Sequence, residues 1–146
     1  MYEHRQIGWL MILILGAALI IFGLTATKAS HAFYYFILAT LVFCAIFFTT
    51  LSVAVTNEFV QVKFGPGIIS KRIRLEEILS CNPVRNRWLY GWGIRKIPHG
   101  WLFNVSGLDA VEVVMKNGRI YRIGTDEPDI LSRAIDERIP SNGRSR

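Results

Sequence analysis

The sequence predicts an integral membrane protein, in which an N-terminal hairpin of two transmembrane helices precedes a small, basic, strand-rich domain. Three observations support this prediction. The chain has 146 residues and is 51% hydrophobic. Residues 7–55 nevertheless contain a single formal charge, that of Lys28. The rest of the chain has an ordinary charge content, and its apolar residues alternate with polar ones, as in half-buried strands.

Two apolar runs form the predicted hairpin, which occupies residues 1–56. The runs at about 7–26 and 32–56 carry no charged residue, and at about 1.5 Å per residue each is long enough to cross a hydrocarbon core of about 30 Å. Aromatic residues near their ends, such as Trp9, are typical of membrane interfaces. A cleaved signal peptide is the competing interpretation of the first run. The length of that run and the second run soon after it favour an uncleaved helix.

Small residues on the two predicted helices indicate where they would pack. Gly16 and Gly23 share one face of the first helix, and Ala45, Thr49 and Ser52 form a similar stripe on the second. Such residues let helix backbones approach closely. The simplest interpretation is that the two helices pack on each other, and the alternative is packing against a helix of another chain. The absence of ionisable residues within both runs argues against a transport pathway.

The basic residues predict an orientation. Lys63 and several further basic residues closely follow the second run, whereas the predicted loop between the helices carries only Lys28. The positive-inside rule therefore predicts a multi-pass protein of the cell (inner) membrane, with both termini in the cytoplasm.

After residue 56 the sequence pattern becomes that of strands. Apolar residues alternate with polar ones through 58–64, a Gly-Pro-Gly turn follows, and the alternation resumes in 68–75. Residues 101–105 and 110–115 predict two further strands. The segment before these two strands, 76–100, is predicted to be irregular and is rich in aromatic and basic residues.

The turn at Asn117-Gly118 is decided by the side-chain pattern. A two-residue turn would place charged and apolar residues on one face, whereas a three-residue loop with Gly118 left-handed pairs Met115 with Arg119 and Val113 with Tyr121. The second register collects the apolar residues on one face, so we predict it.

The C-terminal part changes to a helical pattern. The Thr125–Pro128 segment offers a cap and acidic first-turn residues, and an apolar stripe runs from Ile130 towards Arg138. Pro140 ends the predicted helix, and 140–146 is predicted to be a mobile tail. The helix is expected to plug an open end of a curled antiparallel sheet.

This order of features resembles bacterial membrane-anchored proteins with a pleckstrin-homology-like domain. The resemblance is carried by Lys63-Phe64-Gly65, the Ile73–Ile78 segment, the Gly91–Arg95 loop, the Asn117-Gly118 hairpin and the Ile123–Asp126 segment. It implies a domain at 57–139 with about seven antiparallel strands and one C-terminal helix. It implies no defined activity, because such domains serve as binding platforms.

The leading functional hypothesis is a non-catalytic binding or scaffold module at the cytoplasmic membrane face. Its predicted partners are membrane lipids and either another membrane protein or copies of itself as a homo-oligomer. One alternative is an accessory subunit of a larger membrane complex, and another is a sensor of anionic lipid headgroups. The residues predicted to contact lipid or a partner are Lys71, Arg72, Arg74, Arg85, Arg87, Trp88, Trp92, Arg95 and Lys96.

Other functional classes find no support in the sequence. Glu76 and Glu77 are adjacent and point to opposite faces if they lie in a strand, so they do not form a catalytic carboxylate pair. No phosphate-binding loop, dinucleotide fingerprint or metal-ligand spacing occurs in the sequence. Cys44 and Cys81 do not form a disulfide framework. We therefore predict no enzyme, no cofactor, no metal and no nucleic-acid partner.

Overall fold

The computed structural model describes residues 2–25 and 31–140. These residues form nine strands in two sheets and three α-helices. The strands are β1 (Tyr2–Ile7), β2 (Thr50–Val55), β3 (Phe59–Phe64), β4 (Ile69–Arg74), β5 (Ile78–Arg85), β6 (Gly93–Ile97), β7 (Gly100–Asn104), β8 (Asp109–Met115) and β9 (Ile120–Gly124). The helices are α1 (Trp9–Thr25), α2 (His31–Phe48) and α3 (Pro128–Asp136).

The first sheet, sheet A, is antiparallel and has the order β1-β2-β3-β4. Strand β1 precedes the two long helices and β2 follows them, and the two strands pair from Tyr2 with Val55 to Ile7 with Thr50. The α1–α2 pair is therefore an excursion from one edge of this sheet, with both of its ends held by strand pairing. The turn that was predicted between the helices falls outside the described residues, apart from His31, and so does the predicted mobile tail, apart from Pro140.

The predicted transmembrane hairpin is wrong. In the part of the chain that the structure describes, no helix is both long and apolar enough to cross a membrane. Helices α1 and α2 have 17 and 18 residues, which at about 1.5 Å per residue is less than the roughly 30 Å of a hydrocarbon core. The reason is local. Residues 50–55, predicted as the end of the second helix, form β2, whose inward residues alternate with outward ones.

The predicted location fails with the predicted spans. The assignment as a multi-pass protein of the inner membrane, with both termini in the cytoplasm, depended on two membrane-crossing helices, and the described helices do not cross. The orientation inferred from Lys63 and the neighbouring basic residues has no basis without those spans.

The second sheet, sheet B, has the order β5-β8-β9-β7-β6. Its strands β7 and β9 pair in parallel, with Trp101 opposite Tyr121 and Phe103 opposite Ile123. The expected fold, a single curled antiparallel sheet of about seven strands with one C-terminal helix, is therefore wrong as well. The described residues form nine strands in two sheets, because β1 and β2 extend the sheet of β3 and β4 and because β7 and β9 pair in parallel.

One core joins the two sheets and the C-terminal helix. It includes Leu51 and Val53 of β2, Val113 of β8 and Leu131 and Ile135 of α3. Strands β2, β3, β8 and β9 contribute alternate, inward-facing residues to it, and the residues between them face outward. The core therefore extends across residue 56, where the sequence pattern had placed the start of the compact domain.

Several local predictions are confirmed. The amide of Met115 donates to the carbonyl of Arg119 at 2.8 Å, and Val113 pairs with Tyr121. Gly118 has φ +80°, as the three-residue loop requires. Helix α3 forms where it was predicted. The hydroxyl of Thr125 accepts a hydrogen bond from the Glu127 amide at 3.1 Å just before its first turn.

Candidate functional site

The surface of α1 and α2 is the most unusual feature of the molecule. Leu15 is the one buried residue of α1, and the described side chains of α2 are all at least partly exposed. Fourteen large apolar residues of the two helices are between 37% and 78% exposed. They are Trp9, Leu10, Ile12, Leu13, Ile14, Ile20, Ile21, Leu24, Phe33, Tyr35, Phe36, Val42, Phe43 and Ile46. We call these two helices the apolar hairpin.

No rotation of α1 or α2 would bury all of the apolar side chains of the apolar hairpin, because apolar residues occupy every face of both helices. Residues 9–25 and 31–48 contain no Asp, Glu, Lys or Arg, and a helix that is apolar on every side is normally buried. The five aromatic side chains among these fourteen, at roughly 150–250 Å² each and more than half exposed, alone present on the order of 500 Å² of apolar area, and the nine aliphatic side chains add to it. The largest apolar patch on a typical monomer is about 300–600 Å². Larger patches mark interaction surfaces.

A pair of aromatic side chains joins the two helices at the end that lies away from the strands. The rings of Phe22 and Tyr34 stack with their centroids 4.8 Å apart. A Cβ atom added to Gly16 or Gly23 would meet nothing within 4 Å. These two glycines, predicted to let the helices approach closely, are therefore not at the contact between α1 and α2.

The predicted small-residue stripe on the second helix is divided between two elements. Ala45 lies in α2, whereas Ser52 lies in β2. Thr49 joins the two elements and donates its hydroxyl to the carbonyl of Ala45 at 2.7 Å. The structure therefore does not bring these three residues onto one helix face.

The predicted basic patch is also divided. Arg72 and Arg74 are on the outward face of β4, at the edge of sheet A, and the guanidinium of Arg72 lies 5.3 Å from the centre of the Phe59 ring. Lys71 has the inward parity of the same strand, and its ammonium lies 5.4 Å above the Tyr121 ring. An inward-pointing charge on an edge strand discourages pairing with other strands.

The other predicted contact residues belong to sheet B. Arg85 ends β5, and Arg95 and Lys96 are exposed residues of β6. Between these strands, Arg87 precedes a 3₁₀ turn at Trp88–Tyr90. Trp92 is half-buried, and its indole nitrogen donates to the carbonyl of Gly107 at 3.3 Å.

The turn between β5 and β6 exposes two large apolar side chains. Trp88 is 71% exposed and the adjacent Leu89 is 60% exposed. Leu89 was missed by the sequence analysis, because no periodicity in 76–100 distinguishes an outward leucine from a core leucine. We call Trp88 and Leu89 the tip.

The outward face of sheet A holds a second basic group that sequence spacing could not reveal. Strand register places Arg5 opposite Ser52 and Ser52 opposite Lys63. Arg72 lies one residue pair away, opposite Gln61. Because neighbouring strands are about 4.8 Å apart, residues far apart in the sequence are collected on one face.

A surface pocket with a volume of about 430 Å³ opens between the start of β3, the end of β4 and the residues that follow α3. Its ionisable lining residues are Glu58, Glu76, Arg74 and Arg138. Arg74 and Glu76 pair with each other at 3.3 Å across an exposed surface. Two acids and two bases leave this pocket without a net charge that would select a charged ligand.

The half-buried ion pair of the molecule lies on the outward face of sheet B. Two nitrogens of Arg122 contact one carboxylate oxygen of Glu112 at 2.7 and 2.8 Å. A third nitrogen donates to Oδ1 of the buried Asn86 at 3.3 Å. The arrangement fastens the end of β5 to β8 and β9, so its role is structural.

Another polar cluster joins β1 to the start of α3. Nε2 of His4 lies 2.6 Å from Oδ1 of Asp126, and the hydroxyl of Tyr2 donates to Glu127 at 3.5 Å. Partial burial, followed by the charge of Glu127, raises the pKa of Tyr2 to about 12. Residues 2–25 and 31–140 contain no group of His, Cys, Asp and Glu suited to hold a metal ion.

The geometry defines a two-sheet β domain that carries an exposed, apolar helical hairpin. No family model matches the chain, and no curated protein or solved structure matches it. The resemblance to pleckstrin-homology-like domains therefore stays a prediction from the sequence.

Proposed function

We propose that the protein is a non-catalytic scaffold module that assembles with copies of itself through the apolar hairpin. One observation carries the proposal, namely the exposure of fourteen large apolar side chains on α1 and α2. Leaving such a surface in water is unfavourable by about 25 cal/mol per Å² of apolar area. A partner that covers it gains that free energy, less the entropic cost of association.

A second copy of the chain fits this surface for two reasons. The helices contain no Asp, Glu, Lys or Arg, so the surface offers no charge pattern that would select a charged partner or repel an identical one. Two hairpins brought together supply four apolar helices, which is the composition of a four-helix bundle. Gly16 and Gly23 face open space, where a helix of the second copy can approach the backbone.

The test is sedimentation velocity of the full chain over a range of concentrations, in the absence of detergent. The variant Ile20→Glu/Phe36→Glu replaces two outward side chains that are 66% and 70% exposed. We expect wild-type protein to form a defined oligomer and the variant to weaken association by at least about a hundredfold, since two buried charges would lack partners.

The control is Ile68→Glu, which places one such charge on a residue that is 75% exposed outside the hairpin. It should leave association unchanged. A wild-type monomer at every concentration would contradict the proposal. So would a protein that stays monomeric while its hairpin enters detergent micelles or lipid vesicles, because a lipid phase would then be the partner.

A second candidate function is recognition of anionic groups by the outward face of sheet A. Arg5, Lys63, Arg72 and Arg74 are exposed there, with Glu3 as the opposing charge. The test is calorimetric titration with a soluble, phosphorylated headgroup analogue. Lys63→Glu/Arg72→Glu should abolish the binding and Lys116→Glu/Arg119→Glu should preserve it. If both variants lost binding equally, the binding would depend only on the net charge of the protein and not on this face.

A further inference from the structure

The tip formed by Trp88 and Leu89 is held in a fixed position. On one side Asn86 is 5% exposed, and its backbone N–H donates to the carbonyl of Leu108 at 2.6 Å. On the other side the Trp92 indole donates to Gly107. Within the turn, the amide of Gly91 donates to the carbonyl of Trp88 at 3.1 Å. Two anchored ends and a closed turn reduce the conformational entropy that the tip would lose on binding.

The chemistry of the tip is that of a binding hot spot. Trp88 and Leu89 follow Arg87 directly, and residues 79–108 contain four basic residues and no acidic residue. Tryptophan and arginine are enriched among the residues that dominate binding energies at protein interfaces. The tip therefore suits a partner that offers an apolar contact surrounded by carboxylates.

The same chain presents a surface of that kind at the start of α3. Asp126, Glu127 and Asp129 fall within four consecutive residues, and the neighbouring Ile130 is 48% exposed. The side chains of Asp126 and Glu127 remain 60% and 40% exposed although they contact His4. We call these four residues the acidic corner.

We propose that the tip of one copy docks on the acidic corner of a second copy, with Trp88 and Leu89 against Ile130 and Arg87 beside Asp129. The contact joins two different surfaces, so it is heterologous and links copies head to tail, as a ring or an open chain. It goes beyond the association of apolar hairpins and uses other residues. Each contact alone links copies into pairs or into rings and chains. The two contacts together produce an extended assembly.

The dependence of association on salt concentration distinguishes the two contacts. Arg87, beside the tip, and the exposed carboxylates of the acidic corner attract each other, and such charges are screened beyond about 8 Å at physiological ionic strength. Association through the uncharged hairpin lacks this dependence. Sedimentation velocity of the full chain in low and high salt should therefore show higher oligomers that shrink to the hairpin-linked species as salt increases.

A charge swap tests the proposal directly. Arg87→Glu and Asp129→Lys are each expected to weaken the salt-sensitive association by about tenfold or more. In an equimolar mixture, the new carboxylate beside the tip of the first variant can pair with the new ammonium group in the corner of the second variant. We expect the mixture to regain association, which also shows that both variants are folded. Lys116→Glu, an equal charge change in an exposed turn, is the control and should have no effect.

Three results would overturn the proposal. The first is unchanged assembly in both variants, and the second is a mixture that does not regain association. The third is binding of the wild-type tip to vesicles of phosphatidylglycerol and phosphatidylcholine, lost in Arg87→Glu and unaffected by Asp129→Lys, which would identify a lipid surface as the occupant. Each result leaves the hairpin contact to be judged by its own variants, since it persists in high salt.

Discussion

The apolar hairpin and the two-sheet domain treat their apolar residues in opposite ways. In the domain, residues such as Val62, Val113 and Ile123 are fully buried. In the hairpin, Leu15 is buried and most large apolar residues are exposed. The domain therefore completes its core within one chain, and the hairpin does not.

The difference comes from the polar and charged residues that alternate with apolar ones in the strands, since the two helices contain no Asp, Glu, Lys or Arg. Strand β3 alternates Val60, Val62 and Phe64 with Gln61 and Lys63, so one face enters the core and the other meets water. A helix without polar residues has no face to offer to water. This contrast teaches that the hairpin is the part of the molecule whose stability depends on a partner.

The largest expected effect is the difference in stability between truncating one apolar side chain in the core and truncating one in the hairpin. Ile123→Ala in the core should lower the free energy of unfolding by about 2–5 kcal/mol. Leu13→Ala, at a position 68% exposed, should change it by less than about 0.5 kcal/mol in dilute, monomeric protein. Urea denaturation followed by circular dichroism measures both. Equal losses would show that the hairpin is folded into the core after all.

The next effect concerns the half-buried ion pair. Arg122→Ala leaves the carboxylate of Glu112 and Oδ1 of Asn86 without their donor, and should lower the free energy of unfolding by about 1–3 kcal/mol. Arg119→Ala removes the same side chain from an exposed turn and should cost little. If the two variants unfold at the same urea concentration, the pair does not fasten β5 to its neighbours.

Glycine substitutions sharpen the comparison with smaller effects of opposite sign. Gly118 needs a positive φ in the β8–β9 turn, so Gly118→Ala should destabilise the domain by about 1 kcal/mol. Gly16 has open space in α1, where alanine favours the helix by about 0.5–1 kcal/mol. Thermal unfolding in dilute solution measures both changes. Destabilisation by Gly16→Ala would mean that the glycine already meets another part of the chain.

The smallest effect is a pH dependence at the edge of sheet A. Burial raises the pKa of Tyr2 from 10.0 to about 12, so folding favours the protonated phenol. The resulting stabilisation is complete below pH 10 and is lost as pH rises towards 12. Unfolding midpoints between pH 9 and about 12 should therefore fall more steeply for wild type than for Tyr2→Phe. If the unfolding midpoints of the two proteins fell in parallel with pH, the ionisation of Tyr2 would not contribute to the pH dependence of stability.

The sequence predicted those parts of the fold where a local pattern admits one solution. The β8–β9 register followed from the requirement that Val113 and Tyr121 share a face, and α3 followed from its caps and apolar stripe. Strand β2 was missed because Ser52 and Ala54, its outward residues, are too small and weakly polar to interrupt an apolar run. Pro83 within β5 similarly concealed an edge strand.

The candidate sites were predicted less completely, because exposure and register are tertiary properties. The basic residues were identified, but their separation between β4 and β6 required the sheet order. Arg5 and Lys63 share a face only because β1 pairs with β2 across the whole hairpin. The exposure of Leu89 and Ile130 has no signature in the sequence, since outward apolar residues look like core residues until the fold is known.

The most direct test of the central claim is the molar mass of the wild-type chain in solution without detergent. The chain has a mass of 16.6 kDa. Sedimentation equilibrium in high salt, which screens the tip and corner, should give a whole-number multiple of this mass that dissociates in Ile20→Glu/Phe36→Glu. A single monomeric mass for wild type at all concentrations would contradict the claim that a second copy covers the apolar hairpin.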